Sequence, residues 1–545
     1  MIRQLIAVGI LAIGTASASA APPGTWEVSG TSGVVVAGGE EAVAAGIEVL
    51  RDGGNAVDAA VATILALSVT DATSFCFGGE VPILIYDARR GVVEVIAGQG
   101  AAPRLATQRY FEQRGGIPGT GVEPAAVPAV VDACVTALDR SGTRTFAQVA
   151  APALRLLDRG VKDWHLDLAR TIRRLTAAEG DSPGERRRGL RLVADAFYRG
   201  AIAREIDDWS RTHGGLVRYT DLATHVTRVE EPVSSSYRGL TVVKCGPWTQ
   251  GPYLLEALQL LEGYDLKAMG HNRPDTIHTT VEALKLALAD RDTYYADPLF
   301  ADVPLAELLA PQYASKRRAL IDPRHASLTQ RPGNPRAGHA LLDETDARRG
   351  VNGPASDTTT CLTADRFGNV VAATPSGWSG VVAGKTGVWL GTRLQSFNTW
   401  PGHPNCIEPG KRPRITLTPT LVLKDGKPLL AVSVAGGDNQ EQMTLQLLLD
   451  QIDFGLPPAD AVTAPRFMSD HFLGSFRQAP PKLGQLRINP EVGETTLAEL
   501  SARGHRLVVQ QTPLGAAATA VSIDPSSKLL RGAGDPRAGR HAGAY

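Results

Sequence analysis

Apolar positions along the chain change period several times, and each change marks a predicted element. Ala42 to Arg51 reads as a helix stopped by Asp52-Gly53-Gly54, and Ala56 to Val69 as a second helix whose alanines permit close packing. Val81 to Tyr86 is an apolar, β-rich run; Asp87-Ala88-Arg89-Arg90-Gly91 turns the chain and Val92 to Ile96 returns it, which predicts a hairpin. Helical signals fill Phe146 to Arg211, where Arg186-Arg187-Arg188 reads more simply as a solvated face than as a patch for an acidic substrate. Behind a threonine cap, Ile277, Val281, Leu284 and Leu288 recur at helical spacing and form one apolar stripe between Thr276 and Asp290. His278, Asp290 and Asp292 lie on that helix or at its end and read as structural or surface residues, because no further ligand recurs at metal-binding spacing.

The sharpest shift falls at Thr329 to Asp357, a Pro-, Gly- and Arg-rich stretch without sustained periodicity, expected to be an exposed linker. Beyond it, Thr358 to Ala364 is β-branched and strand-like, Asp365-Arg366-Phe367-Gly368-Asn369 is a turn, and Val370 to Thr374 is the partner strand. A second hairpin runs from Leu417 to Leu423, turns at Lys424-Asp425-Gly426-Lys427, and returns through Leu429 to Val434 into Ala435-Gly436-Gly437.

Composition narrows the partners. Lys and Arg number 56 against 56 Asp and Glu, a poor balance for neutralising a phosphate backbone, so nucleic acid is not expected. The 43% hydrophobic content supports a large core, and 545 residues suggest three or four domains unless one layered α/β body uses the length as a single unit. Arg3, the apolar stretch Leu5 to Gly14 and Ala18-Ser19-Ala20 read as a cleavable leader over residues 1–20, which implies a periplasmic or secreted mature chain beginning at Ala21. No later segment has the ~18 uninterrupted apolar residues of a spanning helix, so no membrane partner is expected after leader removal. Cys76, Cys134, Cys245, Cys361 and Cys406 show no zinc spacing, and their odd number leaves at least one unpaired within the chain.

Zincin, P-loop and Rossmann motifs are missing, and no G-x-S-x-G nucleophile elbow occurs. The unusual feature is a β-branched hydroxyl residue, Thr358, where the linker meets a strand. Scission of the Asp357–Thr358 bond would place an α-amine, with a reference pKa of about 7.7 to 8.0, beside that hydroxyl as its base. On local features alone, Thr358 is more simply the first residue of a strand.

Longer motifs reverse that order. Gly53-Gly54-Asn55-Ala56-Val57-Asp58-Ala59-Ala60, Leu261 to Leu266 with Gly270-His271-Asn272, Glu282 to Ala287 with Ala289 to Asp292, and Gly534-Asp535-Pro536-Arg537 together resemble the γ-glutamyltransferase (γ-glutamyltranspeptidase) family, in order from about Val35 to Tyr545. The resemblance implies an N-terminal-nucleophile hydrolase with a four-layer αββα sandwich (α/β, α+β class), made as a precursor that cuts itself before a catalytic threonine. Asp365 and Gly368-Asn369 resemble the family's turn and place that threonine at Thr358, giving a large subunit 21–357 and a small subunit 358–545 within one body. Ser376 stands where the family has a second threonine bonded to the nucleophile, and Gly436-Gly437 match its oxyanion-binding pair.

The implied substrate pocket departs from the family pattern. Gln99 replaces the arginine that clamps the substrate α-carboxylate, Ser396 an acidic residue for the α-ammonium, Trp378 an asparagine, Arg393 a glutamine, and Ile415-Thr416 a serine pair. The catalytic parts stay and the γ-glutamyl clamp goes, unless it has moved to neighbours such as Arg104. Trp378 beside Ile415 would suit a flatter or more hydrophobic acyl group, while Arg393 could still meet an anion. The expected activity is therefore amide cleavage on a small acyl substrate other than glutathione, with no metal or organic cofactor. A conventional γ-glutamyltransferase or glutathione hydrolase, an unusual acylase or carbon–carbon hydrolase, and an unprocessed secreted binding protein of the same fold are the competing readings.

Overall fold

A computed structural model describes residues 25–181, 184–342, 358–377, 381–511, 514 and 517–545. The leader 1–20, Asp357 and Trp378 lie outside these residues. Ahead of position 358 the strands are β1 (Glu27–Gly30), β2 (Gly33–Gly38), β3 (Val81–Asp87), β4 (Val92–Gly98), β5 (Arg228–Glu230), β6 (Val233–Tyr237) and β7 (Leu240–Lys244). After it come β8 (Cys361–Asp365), β9 (Val370–Ala373), β10 (Thr420–Lys424), β11 (Lys427–Ala435), β12 (Phe467–Ser469), β13 (Gln485–Ile488), β14 (Arg506–Val509), β15 (Ala517–Ile523), β16 (Leu530–Gly534) and β17 (Arg540–Ala544).

Two seven-stranded sheets form, ordered β17-β2-β8-β9-β3-β4-β5 and β1-β16-β15-β11-β10-β7-β6, beside a small β12-β13-β14 sheet. Both large sheets are antiparallel yet apolar on both faces, because both faces are covered. In β2, Val34 and Val36 enter the core between the sheets while Val35 and Ala37 face helices, as the two-residue period of a strand requires. Leu84, Val95, Leu362, Leu421, Ala431 and Val521 fill the layer between the sheets. Helices Glu40–Arg51, Ala56–Thr70 and Val130–Ser141 cover the first sheet, and Gly251–Leu261, Pro274–Tyr294 and Gln440–Ile452 the second. This is the four-layer αββα sandwich.

All three expected strand–turn–strand pairs form, as β3–β4, β8–β9 and β10–β11. Two of the resemblance motifs are architecture. Asn55 and Asp58 close a capping box on helix Ala56–Thr70, and Asp58 also accepts the Thr143 and Arg144 N–H groups. Asp365 accepts from the N–H groups of Ala56, Phe367 and Asn369, so one carboxylate holds the β8–β9 turn and the start of that helix together.

Two expectations are corrected. The helix Pro274–Tyr294 is buried all round from Thr276 to Arg291 rather than along one stripe, since helices and the small sheet enclose it. Its His278 and Asp290 are accordingly structural, the first of the two readings given for them, buried and paired with His505 and Arg317. The described part of the supposed exposed linker is partly docked: Arg331 pairs with Glu282, and buried Gly333 donates to Asp290.

Candidate active site

Antiparallel pairing brings the entry of β8 and the exit of β9 to the same end of the first sheet. Thr358 to Thr360 form an extended lead-in, with Thr359 N–H donating to Pro375 O at 2.9 Å. Thr358 Oγ1 consequently lies 3.4 Å from Ser376 Oγ, both buried. The next strand adds Glu80, just ahead of β3, which exchanges two backbone hydrogen bonds with Ser376 at 3.1 and 2.9 Å. Three neighbouring strands thus present Thr358, Ser376 and Glu80 in a row.

The second sheet supplies the opposite wall. Ser433 Oγ of β11 donates to Ala373 O at 2.8 Å, tying the sheets together beside the site. The strand then ends at Gly436 and Gly437, whose φ angles of 139° and 59° are open to glycine with little strain. Gln440 follows, with its side-chain amide 3.3 Å from Thr358 Oγ1. In the orientation that satisfies its neighbours, Gln440 donates to Val434 O and Thr416 O and accepts from Gly437 N–H at 3.2 Å.

Behind the glycines, Gln250 Nε2 donates to Gly437 O and Thr416 O. Fully buried Arg291 donates to Gln250 Oε1 at 2.9 Å and Asp438 Oδ1 at 2.6 Å, and Asp438 accepts the Ser475 N–H. Burial opposes the Arg291 charge, yet Asp292 and Asp438 hold its pKa above the ordinary arginine range. Arg414, crowded by burial and by Arg291, is lowered to about 10.

The sequence-derived substrate positions separate. Arg393 is buried and comes to the Ser376–Thr358 pair, donating through Nε to Glu80 Oε1 at 2.6 Å and through Nη2 to Ser376 Oγ at 2.7 Å. Ser396, on the same short 3₁₀ turn Arg393–Ser396, has a buried hydroxyl without a partner among the described residues. Thr416 is held beside Gly437 by Gln250. Ile415 packs in the core between the sheets with Val243 and Trp248, not in a pocket against Thr358. Gln99 bonds Gly100 O and lines a cavity of about 320 Å³ with Arg104, Arg228 and Arg412, whose lining includes neither Thr358 nor Ser376. Arg104 reaches the edge of that cavity, its Nε 3.9 Å from Asp221.

Sequence reasoning passed over Glu80, Gln440, Asp438 and Phe476. Glu80 carried one local signal, a carboxylate between Gly78-Gly79 and the apolar run Val81 to Tyr86, where it is costly unless paired. Phe476 sits on Arg393, the guanidinium carbon 5.7 Å from the ring centroid, and is followed by two strained left-handed residues, Arg477 and Gln478. Among the described residues, no three His, Cys, Asp or Glu side chains gather as a metal cluster.

Two stacked sheets between helix layers, with a threonine heading a central strand, define the N-terminal-nucleophile hydrolase class. Within it, the family model of gamma-glutamyltranspeptidase matches residues 42–174 and 163–545, and the chain belongs to that family. A glutathione hydrolase proenzyme of Pseudomonas sp. (strain A14) is 34% identical, with 83% of each chain covered. The acylase ACY 1 proenzyme of Pseudomonas sp. (strain SE83) is 31% identical over 92% of this chain and 91% of its own. The crystal structure of cephalosporin acylase from Bacillus halodurans superposes with a TM-score of 0.79 at 29% identity, covering 98% of this chain and 99% of that one.

Proposed function

We propose that the protein is an exported, self-processing threonine hydrolase that cleaves an amide of an acyl group other than γ-glutamyl. Scission between Asp357 and Thr358 yields subunits 21–357 and 358–545 and frees the Thr358 amine. The Thr358 oxygen then attacks the substrate carbonyl while its amine takes the hydroxyl proton. Gly436 and Gly437 N–H groups hold the oxyanion, with Gln440 yielding Gly437 to it. The amine returns the proton to the departing nitrogen, and water, deprotonated by the same amine, hydrolyses the acyl ester and restores the Thr358 hydroxyl.

The observation that carries this reading is the placement of Thr358 Oγ1 3.4 Å from Ser376 Oγ, beside a glycine turn fixed through Gln440. Arg393 supports the substrate class. Its Nε and Nη2 are engaged by Glu80 and Ser376, which supports a site without a guanidinium fork for an amino-acid carboxylate. Relatives named as glutathione hydrolase and as acylase occur at similar identity, so their names do not choose between the two.

Two measurements test the reading. Intact mass of the purified protein should give two chains, the smaller beginning at Thr358; an active protein of one uncut chain overturns it. The processed enzyme should hydrolyse glutaryl-p-nitroanilide faster than L-γ-glutamyl-p-nitroanilide; the reverse preference would make it a glutathione hydrolase in the ordinary sense.

A further inference from the structure

Arg393 is the most heavily constrained side chain near Thr358 that the steps above leave without a role. Its Nε and Nη2 both lie on Glu80 Oε1, at 2.6 and 2.5 Å, and Nη2 also donates to Ser376 Oγ at 2.7 Å. Phe476 covers its face, 5.7 Å away. Glu80 is fixed by its backbone exchange with Ser376. Its other carboxylate oxygen lies against two glycines, 3.2 Å from where a Cβ on Gly377 would stand and 3.5 Å from one on Gly391. An arginine that only balanced a buried carboxylate would not need to end on the hydroxyl beside the nucleophile.

We propose that Arg393, oriented by Glu80, is a positioning residue that sets the direction of the hydroxyl chain Ser376–Thr358 and places a fixed positive charge one hydroxyl away from the nucleophile. The inference rests on reading Thr358 as that nucleophile. A guanidinium has five donors and no acceptor, so the Arg393–Ser376 bond runs one way, into a lone pair of Ser376 Oγ. Under this assignment the Ser376 proton is directed to Thr358 Oγ1, one of the two directions the 3.4 Å contact allows, and the Thr358 proton is left for the threonine's own amine. Donation into Thr358 Oγ1 stabilises negative charge as the hydroxyl proton leaves.

The charge has a second effect, on the amine. A cation disfavours the ammonium form and lowers its pKa, keeping the base neutral further into acid. Among the described residues, the charged groups facing Thr358 are the Arg393–Glu80 pair, with its positive end toward Ser376, and Arg540 with Asp71. Arg540 reaches the Thr358 carbonyl oxygen at 3.4 Å and Asp71 at 3.3 Å. Both pairs turn their guanidinium toward Thr358.

The test uses the full chain and a probe that needs no knowledge of the natural substrate: acylation of Thr358 by p-nitrophenyl acetate, read as nitrophenolate release and as mass on the Thr358 peptide, across pH. Self-cleavage of the precursor is followed in parallel, and Thr358→Ala sets the background. The double variant Glu80→Gln/Arg393→Gln removes both charges and leaves neither buried alone. Its acylation plateau should fall about 10- to 100-fold, and its acid limb should move to higher pH. Arg393→Lys should return the limb toward the wild-type position. Ser376→Ala cuts the hydroxyl chain but keeps the charge, so it should lower the plateau and leave the limb in place. Should the double variant fail to fold, Ser376→Ala still decides the relay, and Glu80→Leu/Arg393→Met, which replaces the pair by apolar side chains of similar length, takes the double variant's place in deciding the charge.

Wild-type plateau in Ser376→Ala, or wild-type plateau and limb in the double variant, overturns the inference while leaving Thr358 as nucleophile. A limb displaced in Arg393→Lys as far as in the double variant also overturns it. A wild-type chain that stays uncut, or is cut without acylation at Thr358, overturns the functional reading and this inference together.

Discussion

Arg291 and Asp438 form a 2.6 Å ion pair directly behind the Gly436–Gly437 turn, in a position to fix the turn that faces Thr358. Asp438 also receives the Ser475 N–H, so one carboxylate joins the glycine turn to the loop that carries Phe476. Asp438→Ala removes one of the two carboxylates that hold buried Arg291, leaving Asp292 at 2.7 Å, and should destabilise the fold by about 1 to 3 kcal/mol. Asp438→Asn keeps some of the hydrogen bonding and should cost less. Urea unfolding gives both values, and self-cleavage should slow in the same order.

Thr358→Ala should remain a single chain by intact mass, because the attacking oxygen is gone. Thr358→Ser keeps the oxygen and the amine and should yield a small subunit beginning with serine, more slowly because the missing methyl leaves the hydroxyl less fixed. Cleavage of the alanine variant at the same bond would show that an external protease makes the cut.

Gly436→Ala places an L side chain at φ 139°, and Gly437→Ala at φ 59°, where the left-handed region is more accessible. The alanine at 436 should therefore cost more, by roughly 1 to 3 kcal/mol of backbone strain. Thermal unfolding ranks the two. Loss of acylation at 436 without loss of folding would assign the defect to the oxyanion turn itself.

Three buried histidines set an acid limit. His278 Nδ1 lies 2.9 Å from His505 Nε2, and His278 Nε2 faces Asp322 O, so the ring donates from Nε2 and accepts at Nδ1. His471 likewise accepts Gly484 N–H at Nδ1 and donates to Thr329 O. Burial, then the Lys285 charge, lowers His471 and His505 to about 3 from an ordinary value near 6.5. A depressed folded pKa means the unfolded chain binds the extra proton, so this stability is complete above pH 6.5 and is lost as pH falls toward 3. The slope is about 1.4 kcal/mol per pH unit for each histidine. Glu441, raised to about 7 by burial despite Lys244, works in the opposite sense, its contribution falling as pH rises from about 4.5 to 7. The difference in urea midpoint between wild type and His471→Asn/His505→Asn, measured from pH 7 to 5, should isolate the histidines: the wild type declines more steeply.

Local pattern made the hairpins and the first two helices legible, since apolar runs bounded by turn residues are short-range signals. The helix Pro274–Tyr294 was legible as a helix but not as a buried one. Its polar residues look solvent-facing until their partners are known, and Glu282 meets Arg331, Asp290 meets Arg317, and Arg291 meets Asp438. Arg393 is the same case at the site. Read along the chain it is a cation awaiting an anion; folded, it has Glu80, 313 residues earlier, at hydrogen-bond distance. Thr358 and Ser376 were reached through the family resemblance, local pattern marking only the hairpin they flank, whereas Gln440 and Glu80 meet them only through sheet pairing and stacking.

Strands from both sides of position 358 are mixed within each large sheet: β2 lies between β17 and β8, and β1 pairs with β16. Every ladder can therefore survive the scission, and the nicked molecule stays whole while it stays folded. Its return from denaturant is another matter. With the proposed cut before Thr358, the precursor folds as one molecule whereas the processed enzyme would unfold into two that must find each other, so recovery should depend on protein concentration and the lifetime of the native state should rest on slow unfolding.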